Sequence, residues 1–353
     1  MGIQTVSQAL SNENGGFSPF GFKNRIINGA MVIDQRNAGA SVTPNGTYTL
    51  DRWYGDNSQT GKFTVQQNAG AVTPPAGFIN YLGVTSSSPG YSLLTTDEFR
   101  IGQQIEGLNV ADLAWGTASA ATVTLTFWVR SSLTGAFGGA LGNSANNRSY
   151  PFTYTISVAN TWEQKTVTIA GDTSGTWLTT NGKGINVQFS LGCGSTYSGT
   201  ANIWAGAFYI QPTGSTSVVS TSGATFYVTG VQLEKAPQAT AFDYRDYGRE
   251  LVLCQRYYLK LGPGNNVFSF DNYNVTSASC NLPIVFPVQM RATPTGSFSS
   301  ISHFGFSNTN SGNFGASGKT PSTATVGTDA SASARCQWYT SSASAFIAFD
   351  IEL

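Results

Sequence analysis

The stretch Ala121-Thr122-Val123-Thr124-Leu125-Thr126-Phe127-Trp128-Val129-Arg130 alternates apolar and polar side chains along its whole length. Successive side chains of a strand point to opposite faces. Val123, Leu125, Phe127 and Val129 therefore line a core, while Thr124, Thr126, Trp128 and Arg130 occupy the other face. Gly184-Ile185-Asn186-Val187-Gln188-Phe189-Ser190-Leu191 repeats the pattern. Thr153–Val158, Lys165–Ile169 and Thr225–Leu233 add further runs rich in β-branched and aromatic residues. Asn45-Gly46, Pro74-Pro75, Ser88-Pro89-Gly90 and Asn181-Gly182 punctuate them with turn chemistry, the last as a hairpin or a longer loop. Short antiparallel strands without helical periodicity predict an all-β protein, a jelly-roll β-sandwich.

Composition narrows the function. Charged residues make up 10% of the 353, with 18 basic and 18 acidic side chains and a formal net charge of zero. That balance lacks the clustered Lys and Arg a nucleic-acid binder uses to displace counterions. No apolar run reaches the roughly 18 residues of a membrane span, which argues against membrane insertion. The opening Met1–Gly16 has neither the basic start nor the apolar centre of a secretory signal. With 22 Phe, 15 Tyr and 7 Trp, the chain has ample apolar area for packing, under a surface of uncharged hydroxyls and amides. Cys193, Cys254, Cys280 and Cys336 form no C-x-x-C pair, so they read as buried thiols or as disulfide partners rather than a zinc or redox motif.

Three segments emerge. Residues 1–25 form a short N-terminal extension in which Gln4–Leu10 suggests a brief helix. Its Phe17, Phe20 and Phe22 either pack back on the chain's own body or anchor it to a partner. Residues 26–247 make the jelly roll. Residues 248–353 form a smaller C-terminal β domain, reached through a short helix in which Leu251 and Cys254 share a face. In that domain Leu282–Met290 reads as an edge strand because of its prolines, and Ala345–Ile351 as a second strand. The Gly/Ser/Asn/Thr-rich stretch from Ser299 to Ala334 reads as a long loop region or a low-complexity surface.

Asn24-Arg25-Ile26-Ile27-Asn28-Gly29-Ala30-Met31-Val32-Ile33-Asp34-Gln35-Arg36-Asn37, followed by Tyr48-Thr49-Leu50-Asp51-Arg52-Trp53, resembles the opening of bacteriophage tail-fibre and virion-associated modules. Phe127–Ser132, Asn147–Phe152, Thr161–Lys165, Val231–Glu234, Tyr244-Arg245 and Leu253–Tyr258 continue the likeness in order, over roughly residues 24–260. The resemblance implies a phage particle protein with a carbohydrate-binding-module-like jelly roll, usually a homotrimer. It implies no catalytic residues. A protein of this kind is made in the host bacterial cytoplasm and displayed on the exterior of the virion. Its N-terminus would attach to other phage structural proteins, through Phe17, Phe20 and Phe22 here.

Sugar recognition needs flat aromatic faces for the apolar side of a pyranose, with planar amides and Arg for its hydroxyls. Trp128 and Arg130 supply these from one strand and Gln188 from another, with Tyr197 and Trp204 in nearby loops. Together with loops of the C-terminal domain, they are the candidate carbohydrate-binding residues for a host-surface glycan. Enzymatic chemistry has weaker footing. His303 is the sole imidazole, and no G-x-S-x-G elbow accompanies it. Gly315-Ala316-Ser317-Gly318-Lys319-Thr320 mimics a phosphate loop but has Asn313 where the motif needs its first Gly. A depolymerase would need paired carboxylates, for which Asp97/Glu98 and Asp243/Asp246 are candidates. No cofactor is expected. Loop carboxylates leave room for a structural calcium ion, although no Asp-x-Asp-x-Asp cluster marks one. A fibre protein is thus the leading expectation; a structural decoration or adaptor protein of head, neck or tail, and a polysaccharide depolymerase, are the alternatives.

Overall fold

The structure is a computed structural model that describes residues 23–87, 89–263, 269–273, 280–307, 309–317, 319–330 and 335–353. The anchor candidates Phe17, Phe20 and Phe22 and the helix expected over Gln4–Leu10 lie outside the described residues. The strands in chain order begin with β1 (Thr47–Leu50), β2 (Trp53–Asn57), β3 (Phe63–Gln67), β4 (Leu82–Ser86) and β5 (Glu98–Glu106). Next come β6 (Val123–Ser131), β7 (Gly135–Gly142), β8 (Ser149–Ile156), β9 (Glu163–Ile169) and β10 (Lys183–Cys193). The short β11 (Ser198–Gly199) and β12 (Gln211–Pro212) precede β13 (Thr225–Glu234).

Two antiparallel sheets face each other, a six-stranded one ordered β1-β2-β5-β10-β7-β8 and a five-stranded one ordered β3-β4-β13-β6-β9. The alternation that defines β6 holds in three dimensions: Val123, Leu125, Phe127 and Val129 are all fully buried between the sheets. They meet Ile185, Val187, Phe189 and Leu191 of β10 in the same core, with the Phe127 and Phe189 rings 4.9 Å apart. The fold is a jelly-roll β-sandwich. Asn181-Gly182 belongs to a crossover, not a hairpin, since β9 and β10 lie in different sheets. Gly107 N donates to Gly182 O at 2.8 Å and Leu108 N to Thr180 O at 2.9 Å, tying that crossover to the end of β5.

The helix α1 (Tyr247–Gln255) follows, capped by Asp246, whose Oδ1 accepts from Arg249 N at 3.0 Å. Leu251 and Cys254 turn inward to join Ile27, Ile33 and Tyr257 in a small apolar cluster. Beyond it lie β14 (Tyr258–Leu261), β15 (Ser269–Tyr273), β16 (Cys280–Val285), β17 (Thr295–Phe298) and β18 (Phe304–Ser307). They are followed by β19 (Thr309–Ser317), β20 (Thr323–Ala330), β21 (Arg335–Thr340) and β22 (Ile347–Asp350). These make three small sheets around a separate core that includes Leu259, Ile284, Phe286, Ile347 and Phe349. The proline-bearing β16 is an edge strand, as expected. The stretch Ser299–Ala334 corrects its expectation, because β18, β19 and β20 run through it. Sheet ladders are built from backbone groups, so a Gly/Ser/Thr-rich segment pairs once neighbouring strands supply a template.

Three of the resemblance-bearing segments, residues 24–37, 48–53 and 253–258, converge where the two cores meet. Glu106, at the end of β5, accepts from Arg256 Nε at 2.9 Å, Arg256 Nη2 at 2.6 Å and Tyr257 Oη at 2.6 Å. Arg52 pairs with Glu352 and places its guanidinium 3.6 Å from the Tyr257 ring centroid. Asp51 Oδ2 accepts from Gln35 N at 2.7 Å, and burial pushes its carboxyl from 3.8 up to about 6. Asn28 Nδ2 donates to Ile33 O at 2.8 Å and Asp51 O at 3.0 Å. These motifs thus build a buried polar joint, in which every partner matters because an unpaired buried charge is costly.

Candidate functional site

The polar parity of β6 opens onto the outer face of the five-stranded sheet. Trp128 lies between Thr229 of β13 and Gln164 of β9, and Arg130 lies opposite Tyr227. Arg130 Nε donates to Asn160 O at 2.9 Å, and its guanidinium stands 5.4 Å from the Tyr227 ring centroid, a cation–π distance. Tyr227 packs with Tyr81 at 5.2 Å and with Trp162 at 6.5 Å, while Tyr81 and Trp162 are 5.5 Å apart. Trp162 Nε1 donates to Thr73 O at 2.9 Å, and Tyr81 Oη donates to Ala69 O at 2.6 Å. Burial pushes the Tyr81 hydroxyl up, so it stays a proton donor. Trp128, Arg130 and Trp162 are half-buried and Gln164 is exposed. The result is a shallow strip of aromatic surface flanked by Arg130 and an amide.

A bulge in β13 extends this strip. Its register against β6 shifts between Thr229 and Gln232, and Gly230 there has φ 59°. A Cβ at Gly230 would stand 2.6 Å from Phe78 Cζ and 3.1 Å from Trp128 Cδ1. Both rings approach the backbone there because glycine leaves the space empty. Phe78 in turn belongs to a ring cluster, 5.1 Å from Phe242 and 5.5 Å from Tyr244. These rings line a pocket of about 210 Å³ with Ile79 at its rim, Ile79 being 76% and Tyr244 58% exposed. The polar groups of the pocket are internally engaged: Arg245 Nη1 donates to Ile26 O at 3.0 Å and Asn24 Nδ2 to Val231 O at 3.1 Å.

Gln188, Tyr197 and Trp204 lie across the sandwich from Trp128 and Arg130. Gln188 is on the outer face of the six-stranded sheet, but it is 0% exposed, and its amide N and O have no hydrogen-bond partner. Its strand neighbours are tied down, Asn186 Oδ1 accepting from Tyr54 Oη at 2.8 Å and Ser190 Oγ donating to Gln211 Oε1 at 2.6 Å. The loop between β10 and β13 folds back over this face: a Cβ at Gly138 would stand 2.5 Å from Pro212 Cδ. Tyr197 packs edge-on against Phe208 at 5.6 Å in that covering loop. Trp204 is held by Trp115 at 5.3 Å, Trp177 at 5.5 Å and Tyr150 at 5.2 Å, and its Nε1 donates to Ala170 O at 2.8 Å. The five residues thus do not converge on one site. Gln188 is sealed because the loop that follows its own strand folds back across it, and Trp204 is spent on packing that loop.

Trp162 completes the open strip, backed by the buried rings of Tyr81 and Tyr227, while Phe78 and Tyr244 line the neighbouring pocket; none of the five was picked out as a site residue from the sequence. Tyr227 had a signal, since it lies on the outward parity of β13 between the buried Phe226 and Val228. Phe78 and Tyr244 sit in irregular segments, where periodicity carries no information.

The carboxylates weighed for catalysis have structural partners. Asp97 accepts from Ser58 Oγ at 2.7 Å, Tyr91 Oη at 2.9 Å and Leu94 N at 2.7 Å, which lowers its pKa against the raising effect of burial. Glu98 is paired with Arg100, and Asp246 caps α1. His303 closes a short 3₁₀ turn, and Gly315–Ser317 end a strand rather than opening a helix. Among the described residues, no group of three His, Cys, Asp or Glu side chains is arranged to hold a metal ion. Cys193 and Cys254 are free and buried, with burial pushing the Cys193 thiol up to about 12.

No protein-family model matches the chain, and no curated protein does. Among solved structures it is similar to the enzymatically active domain of tailspike protein 4 of bacteriophage CBA120, at 12% identity and a TM-score of 0.33, over 60% of this chain and 21% of that one. The chain therefore spans about a fifth of that domain's length. It is also similar to a family 4 carbohydrate-binding module, at 13% identity and a TM-score of 0.31, over 59% of this chain and 98% of that one. A family 11 carbohydrate-binding module from Clostridium thermocellum, in complex with a β-1,3-1,4-mixed-linked tetrasaccharide, matches at 11% identity and a TM-score of 0.30, over 56% of this chain and 98% of that one. Likenesses this faint assign neither a family nor a ligand, and a function must be argued from the site.

Proposed function

We propose that this chain is a non-enzymatic phage virion fibre protein that adheres to host-surface polysaccharide through the Trp128 face of its five-stranded sheet. The observation that carries the reading is the open strip itself, where half-buried Trp128, Trp162 and Arg130 stand beside exposed Gln164. Flat rings cover the C–H face of a sugar while the guanidinium and amide take its hydroxyls. A shallow strip holds one sugar weakly. A homotrimer raises avidity by about 10² to 10⁴ when several sites engage together. In this reading the N-terminal extension attaches to other phage structural proteins, and the protein is made in the host cytoplasm and displayed on the virion exterior. The reading needs neither a cofactor nor a structural calcium ion.

Binding of the purified full-length chain to host cells and to host polysaccharide tests it. Trp128→Ala should weaken binding at least tenfold with little change in melting temperature. Unchanged binding by that variant would remove the assignment. Release of reducing ends would replace it with the depolymerase reading. Firm particle association without glycan binding would replace it with the structural adaptor, a reading to which the exposed Ile79, Tyr244 and Tyr247 give some footing.

A further inference from the structure

The arginines packed into this chain meet carboxylates: Arg36 pairs with Asp350, Arg52 with Glu352, Arg148 with Asp172 and Arg256 with Glu106. Arg130, half-buried on the open face, does not. Among the described residues its guanidinium makes one hydrogen bond, from Nε to Asn160 O at 2.9 Å, and no ion pair. The chain builds the acceptor for that bond. Asn160 has φ 58°, and its N donates to Ser131 O at 2.7 Å, which fixes the turn against the end of β6. The Tyr227 ring centroid lies 5.4 Å from the guanidinium carbon, and Trp162 packs on the same ring at 6.5 Å. Arg130 is therefore held by its Nε and by an aromatic ring, with Nη1 and Nη2 left as a fork.

The carboxylate of the same turn is already spent. Glu163 Oε1 accepts from Ser157 N at 2.8 Å and Val158 N at 2.9 Å, and Oε2 accepts from Lys165 Nζ at 2.5 Å. A pre-oriented fork matches a carboxylate bidentately, and such charge-assisted bonds are roughly twice as strong as neutral ones. The chain as a whole has a formal net charge of zero, so no general field draws polyanions to it. A preference for acid on this face has to reside at Arg130 itself.

We infer that the glycan taken by this face is acidic, a sugar carboxylate seating on the Nη1–Nη2 fork of Arg130 where a neutral sugar offers only a hydroxyl. The inference rests on the reading of this face as the glycan site and adds the class of sugar. Trp128 and Trp162 then supply contact area common to charged and neutral sugars, while Arg130 sets the choice between them.

The test compares host polysaccharide with the same polymer after carbodiimide activation and borohydride reduction. That treatment turns carboxylates into primary alcohols and leaves phosphate and sulfate groups in place. The full-length protein should bind the native polymer at least tenfold tighter than the reduced one. In Arg130→Gln that ratio should fall to within about twofold, and Arg130→Lys, which keeps the charge but loses the fork, should lie between. Equal binding of both polymers by the parent, whether through neutral sugars, phosphate or sulfate, overturns the inference and leaves the Trp128 reading in place. An unchanged ratio in the folded Arg130→Gln and Arg130→Lys variants overturns the assignment to Arg130. Binding of neither polymer removes the Trp128 reading and this inference with it.

Discussion

The two outer faces of the sandwich start from the same rule and end differently. On β6, alternation turns Trp128 and Arg130 outward; on β10, it turns Asn186, Gln188 and Ser190 outward. The β6 face stays partly open at Trp128 and Arg130, both half-buried, although Thr124 and Thr126 on the same parity are covered. The β10 face is closed by the loop carrying β11 and β12, which lays Pro212 against Gly138 and Phe208 against Arg100. A polar side chain pointing away from a core is therefore no guarantee of a surface. What matters is whether a loop lands on it, and what that loop spends its own aromatics on.

The contrast is best broken at Trp204, which should behave as structure where Trp128 behaves as surface. Trp204→Ala should cost about 2 to 4 kcal/mol, because it removes one of three mutually edge-on Trp rings and leaves a cavity. Chemical denaturation measures the loss, and glycan affinity of the folded fraction should not move. A loss of affinity without a loss of stability would reverse the roles of the two faces.

Asp51 offers a pH test away from both faces. Its folded carboxyl is raised from 3.8 to about 6, so the protonated form is favoured on folding. That contribution is fully present below about 3.8 and disappears as pH rises through about 6. The stability difference between the parent chain and Asp51→Asn should therefore shift against the parent by on the order of 2 to 3 kcal/mol between pH 4 and 7. A flat difference would show that the Gln35 hydrogen bonds offset the burial.

Gly230→Ala sharpens the open face. The new Cβ meets Phe78 Cζ at 2.6 Å in a backbone of φ 59°, so a loss of about 1 to 2 kcal/mol is expected. Glycan binding should weaken as well, because Trp128 Cδ1 is displaced from the same spot. The smallest effect belongs to Gln188→Met on the sealed face. An unpartnered buried amide costs more than an apolar chain of similar shape, so this variant should be about 1 kcal/mol more stable. A destabilised variant would mean the amide is held by a buried water.

Much of the fold was readable from pattern. β6 and β10 follow runs whose inward positions were evident from alternation, β13 follows a run rich in β-branched and aromatic residues, and Leu251 with Cys254 marked the inner face of α1. The strands inside Ser299–Ala334 were not readable, because their pairing is specified by neighbours and not by apolar period. Of the candidate site, Trp128 and Arg130 were legible because their parity is local, while Gln188 was misread because parity does not report cover. Phe78 and Tyr244 come from segments 166 residues apart, joined only through the β13 bulge and the turn before α1.

By itself, the sequence determined which side chains of the two clearest strands face inward, where turn chemistry falls, that a short helix follows the sandwich and that charge is too sparse for nucleic acid. Tertiary structure alone decided which outward face meets solvent, which tryptophans are left over from packing, and that Asp51, Arg52, Arg256 and Tyr257 are spent on a buried joint between two cores. The physical reason is range. Alternation is set by the backbone of adjacent residues, whereas cover and burial are set by loops and strands beyond that range, whose placement no local period records.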